Sequence, residues 1–172
     1  MKYVHSLVLR YLLILTPIKL FSFILTPITF YLSILILTYF NPVVINNVIS
    51  INNIDFEFVE ACIATLAYYL LLILTMTTKD ISWKIRGKLF LYGSFLILGM
   101  NLIRILILVF VAVNYGMDWF QLVHLTFWKI VSGIYVALVW IFLVNKYKIK
   151  SIPIIDDLKY LYNLIQRNPG KR

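Results

Sequence analysis

Apolar residues occur along most of this chain in runs of about twenty, and polar or basic residues separate the runs. A helix needs ~20 apolar residues to cross the hydrocarbon core of a membrane. The pattern therefore predicts an all-α, polytopic membrane helix bundle of about four transmembrane helices, which form a single domain over residues 1–172. The predicted spans cover about residues 20–40, 61–78, 89–113 and 124–144.

The two ends of the chain and the segments between the spans have different patterns. Residues 3–16 and 155–166 alternate apolar and polar side chains at helical spacing, which is typical of amphipathic helices at a membrane interface. The first apolar stretch is longer than the core of a secretory signal peptide and has no small-residue cleavage site, so we expect it to be retained. Segments 41–60 and 114–123 are predicted loops, and residues 145–172 are a predicted tail.

Basic residues give the predicted orientation in the membrane. Of the 16 Lys and Arg residues, 14 precede the first span, lie between the second and third, or follow the fourth. Neither predicted loop, 41–60 or 114–123, contains one. The positive-inside rule then predicts a multi-pass protein of the cell membrane with both termini in the cytoplasm. The net charge of +9 is spread over the ends of apolar runs instead of forming one patch, which argues against a nucleic-acid partner.

Three reactive side chains are expected at a similar depth, near the outer ends of the spans. Cys62 and His124 lie at the outer ends of the second and fourth predicted spans, and Arg104 lies inside the third. Burying a charged side chain inside a span costs free energy, so a residue such as Arg104 is by default a candidate functional residue.

The cysteine and histidine counts bear on metals and cofactors. A lone cysteine excludes an intrachain disulfide or a cysteine-rich metal cluster, and the chain has only two histidines. We therefore expect no metal and no cofactor.

A thiol, a guanidinium and an imidazole that share one depth have the chemistry of acyl transfer. Cys62 is the candidate nucleophile, Arg104 the group that stabilises an oxyanion, and His124 the proton shuttle. Candidate substrate-binding residues are Asn101, one helical turn before Arg104, together with Thr65 and Lys129.

Purely structural roles for the same three residues stay open from the sequence. Cys62 can be a small packing residue. Arg104 can pair with Glu60 or Asp118 and hold the bundle together. His124 can be an interfacial side chain at the start of a helix.

Three short segments carry a resemblance to a known family. Glu-Ala-Cys-Ile-Ala-Thr at 60–65, Asn-Leu-Ile-Arg-Ile at 101–105 and His-Leu-Thr-Phe-Trp at 124–128 resemble the signature segments of the exosortase/archaeosortase family. The resemblance implies a membrane-embedded cysteine transpeptidase or protease whose active site is Cys62, Arg104 and His124.

The resemblance also implies the partners. They are exported proteins with a C-terminal short motif, a transmembrane helix and a basic tail, which the enzyme cleaves on the outer face. The product is transferred to an acceptor, which in the archaeal branch is a membrane lipid. Two alternatives of other classes remain: a non-enzymatic membrane scaffold or accessory subunit, and a small anion transporter subunit that uses Arg104 and Lys129.

Overall fold

Apolar helices dominate the computed structural model, which describes residues 2–59 and 62–167. They pack as an all-α membrane bundle, which confirms the predicted fold class. A single turn of 3-10 helix extends the second helix, and one π-helical turn connects the fifth to the sixth. The helices are α1 (Lys2–Ile14), α2 (Ile18–Leu37), α3 (Thr65–Thr77), α4 (Trp83–Tyr115), α5 (Met117–Thr126), α6 (Ser132–Lys146) and α7 (Ile155–Arg167).

Three helical segments of the described chain are long and apolar enough to cross a membrane, where the sequence predicts about four spans. They are Ile18–Phe40, Trp83–Tyr115 and Met117–Lys146. The segment predicted as the span 61–78 forms only α3, which has 13 residues. At ~1.5 Å per residue α3 is about 20 Å long, shorter than the ~30 Å hydrocarbon core. Its helix begins after Cys62, because Ala64 has a left-handed backbone conformation with φ of 57°.

The predicted loop at 114–123 is helical in the structure. Helix α4 continues to Tyr115, and α5 begins at Met117. Gly116 alone makes the turn between them, with φ of 89°, a backbone conformation that glycine adopts without steric cost. As a consequence His124 lies within α5, and not at the beginning of a span as the sequence suggested.

The predicted loop at 41–60 contains a small β-sheet. Strands β1 (Val43–Ile45), β2 (Val48–Ile51) and β3 (Ile54–Glu57) form an antiparallel meander in the order β1-β2-β3. Two-residue Asn-Asn turns connect the strands, and Asn46, Asn52 and Asn53 have positive φ angles. Asparagine is one of the few residues that tolerate this conformation, so the Asn-Asn pairs are hairpin turns.

Two apolar cores hold the bundle together. The first lies between α3, α4 and α6 and includes Leu71, Leu89 and Leu143, none of which is exposed. The second lies under the sheet, where Ile49 and Ile51 of β2 pack with buried side chains of α2 and α4. The sheet is therefore fixed onto the ends of these two helices by its apolar face.

Two buried arginines bind the C-terminal end of α3. Arg10 of α1 donates from Nη1 to the carbonyl oxygens of Met76 and Thr78, at 3.2 Å each. Arg86 of α4 donates from Nη2 to the Thr78 carbonyl at 2.6 Å and from Nη1 to the Met76 carbonyl at 3.2 Å. Arg10 also forms a buried salt bridge of 3.1 Å with Asp157 of α7. These contacts satisfy carbonyl groups that a helix end leaves unpaired, and they attach both terminal helices to the bundle.

The close packing of α3 against α4 depends on the absence of a side chain at Gly93. A Cβ atom there would lie 2.6 Å from Leu71 Cδ2 and 3.1 Å from Leu143 Cδ1, whereas a Cβ at Gly99 of the same helix would meet nothing within 4 Å.

We expect Gly93→Val to destabilise the protein by about 1–3 kcal/mol through overpacking. Gly99→Val is the matched control with the same change in helix propensity. Thermal unfolding in detergent measures both, and equal melting temperatures would contradict the packing argument.

Candidate functional site

A side chain of helix α4 holds Cys62 in place through a hydrogen bond to the cysteine backbone. Cys62 lies between β3 and α3, where its N–H donates to the Val59 carbonyl oxygen at 2.8 Å. Asn101 Nδ2 donates to the Cys62 carbonyl oxygen at 2.7 Å. Asn101 is buried and Cys62 is half-buried, so this hydrogen bond is partly shielded from solvent. The position of the half-buried thiol is thus set by a side chain one helical turn before Arg104.

Cys62, Arg104 and His124 line one cavity of about 280 Å³. The thiol comes from the segment before α3, the guanidinium from α4 and the imidazole from α5. Most of the remaining wall consists of apolar side chains of α4, α5 and the sheet. They include Phe56, Phe58, Ile105, Leu108, Met117 and Phe120. The structure therefore brings the three predicted site residues together around one space.

Arg104 is a buried cation at the centre of this region, with 4% of its surface exposed. It also lines a second cavity of about 320 Å³, which Thr65 shares, and a third of about 30 Å³, which Asn101 shares. A cation in such a low-dielectric setting interacts strongly with any negative charge that enters. Thr65 thus adjoins Arg104 but lies on a different cavity from Cys62.

Aromatic stacking holds His124 in place. Its ring is stacked on Phe120 of α5, with centroids 5.7 Å apart and planes 12° apart. Phe120 in turn contacts Phe56 of β3 at 6.0 Å. The His124 Nδ1 atom is buried and has no hydrogen-bond partner among the residues that the structure describes. A bound group that enters the cavity can therefore supply one.

Burial and charge act on the thiol in opposite directions. Burial raises the pKa of Cys62 above its ordinary value, and this is the largest effect. A backbone hydrogen bond at Val59 and the positive charge of Arg104 both lower the pKa and offset part of the rise. Burial therefore favours the protonated thiol over the thiolate, and the thiol needs a base to become a nucleophile.

The remaining predicted residues have different surroundings. Asn101, a candidate substrate-binding residue from the sequence, binds the Cys62 backbone carbonyl. Lys129 is exposed on the π-helical turn and does not line the Cys62 cavity. Asp118, a possible ion-pair partner of Arg104, is exposed on the first turn of α5. Glu60, the other possible partner, lies outside the described residues.

Several cavity residues were not singled out from the sequence. Gln121 lies one turn before His124, a spacing that could have indicated a shared helix face. Asp55 and Glu57 of β3 also line the cavity, but no signal in the sequence placed a strand there. Within the described part of the chain, no group of three His, Cys, Asp or Glu side chains could hold a metal ion.

Comparison with known protein families identifies a match over most of the chain. The family model described as transmembrane exosortase matches residues 2–145, which include all three residues of the site. Searches of the curated proteins and of the solved structures found no match.

The pH dependence of thiol alkylation tests the electrostatic coupling between Arg104 and Cys62. Because the guanidinium lowers the pKa of the thiol, Arg104→Met should raise the pH midpoint of iodoacetamide labelling above that of the wild type. Arg104→Lys retains the positive charge and should keep the midpoint closer to the wild-type value. Cys62 is the only cysteine, so mass spectrometry of the intact protein reads this site alone. Identical profiles for the three proteins would show that Arg104 does not act on the thiol.

Proposed function

Since the chain belongs to the transmembrane exosortase family, we propose that it is a cysteine-dependent membrane transpeptidase or protease. It cleaves the C-terminal sorting signal of exported, membrane-tethered proteins and transfers them to an acceptor. The observation that carries this proposal is that the only cysteine, a buried arginine and His124 line one cavity. Nucleophilic acyl transfer needs these three kinds of group within reach of one carbonyl.

In the first half of the proposed reaction, Cys62 forms a thioester. His124 takes the thiol proton, and the sulfur attacks the scissile carbonyl carbon. The negative charge that develops on the carbonyl oxygen is stabilised by Arg104. When the tetrahedral intermediate collapses, the C–N bond breaks and the leaving amine takes its proton from His124. The raised pKa of the thiol makes this base necessary, because burial disfavours the thiolate.

In the second half of the reaction, an acceptor replaces the sulfur. An amine, a hydroxyl group or water gives a proton to His124 and attacks the thioester carbonyl. The C–S bond then breaks, and the leaving sulfur takes the proton from His124, which restores Cys62 as a thiol and His124 as a base. Water as the acceptor gives proteolysis, whereas an amine or hydroxyl group, such as that of a membrane lipid, gives transpeptidation or ester formation.

The length of α4 supports a cavity at the outer surface of the membrane. Its 33 residues extend about 50 Å, which exceeds the ~30 Å hydrocarbon core. Lys79, Lys84 and Lys88 surround its first turns and would lie in the cytoplasm by the positive-inside rule. Arg104 is about 24 Å along the helix from Lys88, so it would lie near the outer boundary of a ~30 Å core. The substrate's own transmembrane helix would lie beside the bundle, with its short motif at the cavity and its basic tail in the cytoplasm.

Removal of the thiol is the primary test of the proposal. We expect Cys62→Ala to abolish processing in the native host, where mass spectrometry would detect exported proteins that retain a C-terminal apolar helix and basic tail. His124→Ala should cause a similar loss, whereas His5→Ala is the matched control, since His5 is exposed on α1. Membrane fractionation checks that each variant inserts. Full processing by Cys62→Ala would exclude a cysteine enzyme and favour a scaffold or transporter subunit.

A second prediction separates the charge of Arg104 from its shape. Arg104→Lys should lower the processing rate by about 10²–10³-fold, because lysine cannot reproduce the planar fork that binds an oxyanion or carboxylate. A lysine variant with wild-type processing would mean that a positive charge alone is sufficient. Thiol labelling of the same variant shows whether the site remains folded.

A further inference from the structure

Strand β3 is an edge of the sheet and runs along the Cys62 cavity. The strand order β1-β2-β3 leaves β3 paired on one side only within the described chain. The five consecutive residues 55–59 all line the cavity, and three positions later the chain reaches Cys62. Side chains alternate between the two faces of a strand. Consecutive residues can line one cavity only when the cavity follows the edge of the strand instead of one face.

The hydrogen-bonding pattern identifies which backbone groups lie at this edge. Ile51 and Ile54 flank a two-residue turn, and the Phe58 N–H donates to the Asn47 carbonyl oxygen at 2.8 Å. Even-numbered residues from 54 to 58 therefore direct their backbone groups toward β2. In an antiparallel ladder the alternate residues point away from the partner strand. The N–H and C=O groups of Asp55 and Glu57 consequently face the open edge.

We propose that the substrate binds as a fourth strand, with an extended segment paired to β3 through the backbone groups of Asp55 and Glu57. The inference rests on the proposed function and specifies how the short motif is held. β3 has four residues and is about 14 Å long at ~3.4 Å per residue, so it pairs with about four residues of peptide. Such strand addition gives affinity through main-chain hydrogen bonds, and pockets for alternate side chains give selectivity.

The surroundings of β3 favour a peptide over a second copy of the chain. The edge continues into the cavity that contains Cys62 and Arg104, so a paired peptide is guided to the thiol. Phe120 and Leu108 provide an apolar wall for side chains on one face of the peptide. β1, the other edge strand, has exposed side chains and does not line this cavity. The two edges of one sheet thus differ in whether a bound strand would meet the reactive groups.

Proline substitution at matched edge positions tests the pairing. Glu57→Pro removes an N–H that faces the open edge, and edge strands tolerate proline at such positions. Val44→Pro makes the same change on β1, because Ile45 and Val48 flank the first turn and Val44 therefore faces away from β2. The assay is processing of exported proteins in the native host. Glu57→Ala keeps the N–H and reports the effect of the carboxylate alone.

We expect Glu57→Pro to lower the processing rate at least about tenfold more than Glu57→Ala does, and Val44→Pro to retain wild-type processing. Iodoacetamide labelling of Cys62 should be unchanged in Glu57→Pro, which would show that the site is folded. Equal processing by Glu57→Pro and Val44→Pro would overturn the inference. So would a change of oligomeric state in Glu57→Pro but not in Val44→Pro, because a second copy would then occupy the edge. If Cys62→Ala also processes normally, the proposed function itself fails, which separates the two results.

Discussion

A helix too short to cross the membrane is the constraint on which the rest of this structure depends. The 13 residues of α3 are almost all apolar, yet they extend only about 20 Å. Backbone groups at the ends of such a helix must be satisfied by protein, because lipid offers no hydrogen bonds. Arg10 and Arg86 bind the carbonyl groups at its C-terminal end, and Asn101 binds the Cys62 carbonyl just before its N-terminal end. The ends of α3 are thereby fixed within the bundle.

Helix α4 supplies two of these three side chains, Arg86 and Asn101, along one face, so it sets the geometry of the site. Arg86 and Asn101 are 15 residues apart, about 22 Å, which matches the length of α3. Between them, Gly93 lets Leu71 of α3 pack closely. One turn beyond Asn101 the same face presents Arg104. The distance between the thiol and the guanidinium is therefore determined by one rigid helix that both anchors α3 and supplies the cation.

The sequence predicted the depth of the three site residues in the membrane, but it could not predict the direction in which each side chain points around the bundle axis. Counting residues from the span ends put Cys62, Arg104 and His124 in one layer, and in the structure they line one cavity. The partners of Arg10 are 66 to 147 positions away in the chain, so no local pattern reveals them. The sheet was missed because strands of three or four residues are too short for a clear alternation. Only the Asn-Asn turns between the strands could be recognised from the sequence.

If the chain acts as proposed, the small volume of the Cys62 cavity limits where along a substrate protein the cleavage site can lie. About 280 Å³ is far below the size of any folded domain, so only an unfolded linker can enter. In the proposed reaction, a globular cargo would therefore remain outside, above the membrane surface, while the linker beneath it reaches the sulfur. Cleavage would then be compatible with cargo that has already folded after export. Selection among substrates would depend on whether a flexible linker is accessible and not on the fold of the cargo.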